Sequence, residues 1–164
     1  MRTHSSVLNS AWFGWLHPEQ QQLIKTGLTL LSRAEELPAP ASLSDYSYII
    51  FPLAKAYEGF VKDFLLELNL VNERIYKSRR FRIGRSINPD VREKYRDRDW
   101  VYDDIVRLCS PELADQLWTT WLECRNRVFH YFPGKNKFLN LAQVRTKTDL
   151  VLQTMETASQ YLPN

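Results

Sequence analysis

The sequence predicts an all-α fold, a bundle of four to five helices joined by short links. Three observations point there. Apolar residues recur at three- and four-residue steps through the long stretches of the chain. Proline, hydroxyl and acidic residues stand where those stretches begin, as helix N-termini favour. Only 5 glycines and 8 prolines occur in 164 residues, which leaves little room for a loop-rich all-β design. That length suits one ordinary domain. The whole of 1–164 is therefore read as a single unit, with its core over about 44–162 and an N-terminal helix at about 18–37 packed on it.

Pro18 opens the first helix, whose apolar positions Leu23, Ile24, Leu28, Leu31, Ala34 and Leu37 keep helical spacing up to the Pro38-Ala39-Pro40 break. The second begins near Ser44, with Asp45 as part of its cap, and carries Ile50, Leu53, Tyr57, Phe60, Val61, Phe64 and Leu68. Pro52 falls inside that pattern and predicts either a kink or a start nearer Phe51. From Arg74 to Arg98 the chain is broken at Gly84 and Asn88-Pro89, so a short helix plus loop is expected. Another short helix is expected over Trp100–Leu108. Ser110-Pro111-Glu112 combines a hydroxyl cap, a first-turn proline and an acid, the start of a long helix. That helix should run to about Tyr131 and stop by Pro133-Gly134. The last covers about Val144–Leu162, with Val144, Val151, Met155, Ala158 and Leu162 on one stripe.

With 44% hydrophobic and 25% charged residues, the chain is globular rather than disordered. The apolar runs Tyr48–Ala54 and Phe64–Leu68 fall well short of the ~20 residues a membrane helix needs, so no membrane association is expected. Met1–Leu16 holds one Arg and the short apolar patch Ala11–Leu16 without a small-residue cleavage site, and no secretory leader is expected. Cys109 and Cys124 form no CxxC and have no histidine at metal-ligand spacing. Zinc-finger and disulfide-framework classes are thereby excluded, no metal or other cofactor is expected, and a reducing, cytoplasmic setting fits.

The formal charge of +3 says less than its distribution. Arg74 to Arg98 holds 10 basic and 3 acidic residues, a local +7, against −4 for the rest of the chain. Eight of those 10 cations are Arg, whose fork matches phosphate oxygens. Tyr76, Phe81, Tyr95, Trp100 and Tyr102 are interleaved through and after the window. Guanidinium groups for phosphates and aromatic faces for unpaired bases together suit a single-stranded nucleic acid. Arg79, Arg80, Arg82 and Arg85, with Arg127 and Tyr131 on the later long helix, are the candidate RNA contacts. The competing interpretation is a solvated, charge-laced connection between helices.

At 100° per residue, Leu113, Leu117, Trp121, Cys124, Val128 and Tyr131 share one stripe of the long helix and should face the core. Trp118, Leu122 and Phe129 form a second stripe with Arg125 set in its middle, and Asn126 and His130 stack on the next face. A cation among aromatics needs a partner or a ligand. Glu58, at the edge of the second helix's apolar face, offers an ion pair.

Arg125-Asn126-Arg127-Val128-Phe129-His130 resembles the signature of the HEPN superfamily of nucleotide-binding helical bundles: an arginine, a polar residue, then a histidine. The segment from Pro52 to Lys62 resembles the corresponding helix of the RNase LS group of bacterial toxins. The resemblance spans roughly Ser44 to Leu162 and implies a HEPN-like bundle that forms a symmetric dimer. It implies that Arg125 and His130 are catalytic, that Asn126 supports them, and that Glu58 is an acid placed beside the arginine. The implied activity is that of an endoribonuclease toxin in a toxin–antitoxin or phage-defence pair, with an antitoxin protein as partner. Members paired with nucleotidyltransferase antitoxins carry a Tyr two residues after the His, where this chain has Phe132, so adenylylation there is not expected. Nothing in the chain matches the toxin's additional N-terminal domains, which argues against its usual antitoxin.

RNA brings its own nucleophile, the 2′-hydroxyl beside the scissile phosphate. Cleavage then needs a base, an acid for the leaving oxygen and positive charge for the phosphorane. Imidazole suits proton transfer near neutrality, with a reference pKa of about 6.5. Arg125 supplies a permanent charge, and Asn126 can orient His130 across a helical turn. Of the other histidines, His4 lies near the terminus and His17 precedes a helix-starting proline. A second imidazole is therefore expected from a second copy of the chain. A rival reading places Mg²⁺ on Asp97, Asp99, Asp103 and Asp104, but Arg96 and Arg98 alternate with the first two and favour mutual neutralisation. A non-catalytic HEPN-like module, binding RNA or a protein, is the alternative function.

Overall fold

In the computed structural model, residues 4–37, 43–131, 133–134 and 138–163 are described; they are helical, with no strand among them. The Pro38-Ala39-Pro40 break, Phe132 and the side chain of His4 lie outside the described residues. Two short helices open the chain, α1 (His4–Leu8) and α2 (Ala11–Trp15). Neither was expected, because each is little more than one turn and offers no period to recognise. Their Val7, Trp12 and Phe13, with Leu16 just beyond, are nevertheless buried in the core.

Helix α3 (Pro18–Glu36) begins at the proline and buries Ile24, Leu28, Leu31 and Ala34. A 3₁₀ turn (Ser47–Ile49) leads into α4 (Ile50–Glu67). Asp45, not Ser44, organises this entry: its carboxylate accepts from Ser47 N at 3.1 Å, Ser47 Oγ at 2.7 Å and Leu139 N at 3.0 Å. Because α4 starts at Ile50, Pro52 sits in its first turn, where no amide hydrogen is needed, and the start nearer Phe51 is the one adopted. Helix α4 is apolar almost all round and occupies the centre of the molecule, as such a helix must. Its Leu53 meets α3 at Gly27, where an added Cβ would overlap the Leu53 side chain, so a glycine sets the close approach of these two helices.

The basic window contains more structure than one helix plus loop: α5 (Glu73–Tyr76), α6 (Ile83–Ser86) and a 3₁₀ turn (Glu93–Tyr95). Next come α7 (Tyr102–Leu108) and α8 (Pro111–Trp121), the latter capped by Ser110 Oγ accepting from Leu113 N at 3.1 Å. The expected long helix does not continue in α register. Leu122–Asn126 is a π turn, closed by Arg127 N–H donating to the carbonyl of Leu122, and a last short piece, α9 (Arg127–Phe129), follows. Helix α10 (Leu141–Ser159) starts three residues before Val144, where Asn140 and Gln143 cap each other with two 2.9 Å bonds. It packs on α4 and α8, burying Val144, Val151, Met155 and Ala158. No helix among the described residues is long and apolar enough to cross a membrane.

Candidate functional site

The π turn decides where the candidate residues point. In α register, positions five apart lie on different faces, so Arg125 and His130 would diverge. The chain leaves α register twice between them, in the π turn that holds Arg125 and where His130 ends α9 in extended conformation, and π turns recur at functional sites. Arg125 and His130 both line one cleft of about 390 Å³, together with Phe51, Ala54, Lys55, Glu58 and Phe129. Of the expected pair Asn126 and His130, His130 lines the cleft and Asn126 does not. Asn126 is half-buried and is not among the cleft-lining residues, and it meets His130 through the backbone, His130 N donating to Asn126 O at 3.2 Å. His130 has by then left the helix, with φ −100° and ψ 131°.

Arg125 is anchored from two sides. Its Nε lies 3.5 Å from Glu58 Oε2, the ion pair anticipated from sequence. Its guanidinium lies 5.5 Å from the Trp121 ring centre, and Trp121 stacks in turn on Trp118 at 5.8 Å and 11°. Glu58 also faces Lys62 Nζ at 4.0 Å. Both partners of the Glu58–Arg125 pair are about one-third exposed, so solvent screens it and its contribution to stability is about 1 kcal/mol or less. The pair is open enough for a phosphate to compete for the guanidinium.

From below, α10 holds the π turn. Lys147 Nζ donates to the Glu123 carbonyl at 2.8 Å and reaches Glu123 Oε2 at 3.3 Å. The Cys124 Sγ lies 3.6 Å from the Lys147 carbonyl, and burial pushes its thiol up to about 12, so this cysteine is no nucleophile. One turn earlier, the fully buried Tyr57 donates its hydroxyl to the Leu117 carbonyl at 2.8 Å, and burial raises its pKa well above the ordinary phenol range. His130 terminates α9 in extended conformation and is exposed. Tyr131, placed by sequence on the core stripe, is 77% exposed because the helix has ended, which leaves it accessible as an RNA contact.

Arg79, Arg80, Arg82 and Arg85 are exposed, as RNA contacts must be, but none of them lines the cleft. Helix α6, which carries Arg85, packs against the ring beside Arg125: a Cβ at Gly84 would fall inside the Trp121 indole. Arg82 donates to the carbonyl of Arg79 at 2.6 Å, whereas Arg85 pairs with Asp97 at 2.6 Å and Arg127 pairs with Glu123. Asp97, Asp103 and Asp104 each form an ion pair, though not with their neighbours in sequence. Asp103 faces Arg96 at 3.7 Å, and Asp104 faces Arg107 at 2.5 Å. Arg96 also lies 4.1 Å over the Trp100 ring. His17 does not line the cleft and instead approaches Asp63 at 3.9 Å.

Two cleft residues were not anticipated, Lys55 and Phe51. The signal was present: along an otherwise apolar helix they fall four residues apart and on the stripe of Glu58. Compared with protein-family models, with curated proteins and with solved structures, the chain matches none.

Proposed function

We propose that this chain is a metal-independent endoribonuclease of the HEPN kind that cleaves single-stranded RNA. In this reading it works as a symmetric dimer in the cytoplasm, as the toxin of a toxin–antitoxin or phage-defence pair restrained by an antitoxin protein. One observation carries the proposal: Arg125, His130 and Glu58, chosen by motif and spread over two helices, line a single open cleft. Arg125 binds a nonbridging phosphate oxygen. One proton acceptor takes the 2′-hydroxyl proton, the 2′-oxygen forms a bond to phosphorus, and the P–O5′ bond breaks as the leaving oxygen receives a proton. The products are a 2′,3′-cyclic phosphate and a 5′-hydroxyl. The imidazole is the proton donor, and Glu58 or the second protomer's imidazole is the acceptor.

The Glu58–Arg125 pair also favours a second reading, because it satisfies the arginine without substrate. In that case the chain is a non-catalytic RNA-binding or protein-interaction module. Purified protein incubated with labelled single-stranded RNA in EDTA separates the two. The enzyme cleaves, and His130→Ala and Arg125→Ala each lower the rate by at least about 100-fold. A module leaves the RNA intact.

A further inference from the structure

Between Ile50 and Asp63, α4 leaves only Phe51, Lys55, Glu58, Gly59 and Lys62 unburied. Phe51, Lys55, Glu58 and Lys62 follow one another at steps of four, three and four residues, so they form one accessible stripe along the wall of the cleft. Phe51 is 58% exposed, yet its ring is held in place edge-to-face by Phe129, with centroids 5.6 Å apart at 84°. Glu58 is already engaged by Arg125 at 3.5 Å and Lys62 at 4.0 Å, and among the described residues Lys55 makes no ion pair. Along this wall three cations face one carboxylate, an imbalance that favours a polyanion over a protein surface. An aromatic face and an uncompensated ammonium one helical turn apart match the two ends of a nucleotide, its base and its phosphate.

We propose that Phe51 and Lys55 form a nucleotide subsite, in which a base beside the scissile phosphate stacks on the Phe51 ring and its phosphate pairs with the Lys55 ammonium. The subsite rests on the ribonuclease reading and gives it a strand-positioning element. Because Phe129 fixes the Phe51 ring beforehand, little ordering is left for binding to impose. The stacking accepts any base, since every base has a π face, so the subsite positions a strand without selecting its sequence.

Fluorescence anisotropy on the His130→Ala protein tests this, using a labelled oligouridylate and a strand of equal length whose sugars carry no bases. Circular dichroism verifies that each further variant is folded. Phe51→Ala weakens the base-bearing strand by about tenfold and leaves the abasic strand unchanged, and Phe51→Tyr restores binding. Lys55→Gln weakens both strands and lowers the slope of log affinity against log salt by about 0.7, the signature of one phosphate contact on a single strand. If the parent binds RNA and both variants bind as it does, the subsite is wrong while the ribonuclease reading stands. If the parent binds neither strand, the ribonuclease reading is overturned and the subsite with it.

Discussion

At the scale of single residues, the distinction that matters is between an arginine placed for structure and one placed for a ligand. Glu58 and Arg125 sit half in water, so their attraction is weak as a stability device. Glu58→Gln should lower the free energy of unfolding by less than about 1 kcal/mol, measured by urea titration, while cutting RNA cleavage by about tenfold, because the carboxylate orients Arg125 whichever group takes the 2′-hydroxyl proton. A large stability loss with unchanged cleavage would make the pair structural. A different residue-level device appears at Tyr76, whose hydroxyl donates to the buried Asp63 at 2.7 Å and whose pKa that bond pushes up to about 12. Tyr102 is pushed up to about 12 by burial and by its bond to Asp115. A tyrosine that holds its proton more tightly when folded supports the fold fully below pH ~10, its unfolded value, and progressively less as pH rises toward about 12. Thermal unfolding should therefore move to lower temperature across that window. The Tyr76→Phe, Tyr102→Phe double variant should show a shallower dependence.

Among the elements, the π turn at Leu122–Asn126 is the piece on which the site depends, and it is supported from two sides. Lys147 bonds the Glu123 carbonyl from α10, and Trp121 is wedged against Gly84 from α6. Gly84→Ala should destabilise the protein by about 1–3 kcal/mol, because the added methyl meets a rigid ring rather than a flexible chain end. Since Trp121 lies under Arg125, cleavage should fall as well, even at temperatures where the variant is fully folded. Calorimetry together with an activity assay checks both halves. The helices themselves were legible from periodicity and caps: Pro18, Ser110-Pro111 and the stripe Val144, Val151, Met155, Ala158 all lie where expected. The pair Glu58–Arg125 was legible too, because a charge on an apolar face demands a partner. What escaped was the π turn, which has no sequence period of its own, and the end of the helix at Phe129, which leaves Tyr131 exposed. Helices of one turn at the N-terminus escaped for the same reason, although Trp12 and Phe13 pack deep in the core.

At the scale of the whole molecule, one histidine lines the cleft among the described residues, and the proposed chemistry pairs two copies. Analytical ultracentrifugation at micromolar concentration should give twice the chain mass, and His130→Ala should sediment the same way. A monomer that retains full cleavage activity would assign the second proton transfer to Glu58 instead. All of this depends on whether the cleft breaks phosphodiester bonds. The direct measurement is incubation of the purified protein with mixed-sequence single-stranded RNA in EDTA, with mass spectrometry of the ends produced. Fragments ending in 2′,3′-cyclic phosphate, formed by the wild type and not by His130→Ala, are the expected result. Intact RNA after incubation with the wild type, or equal cleavage by His130→Ala, would contradict it.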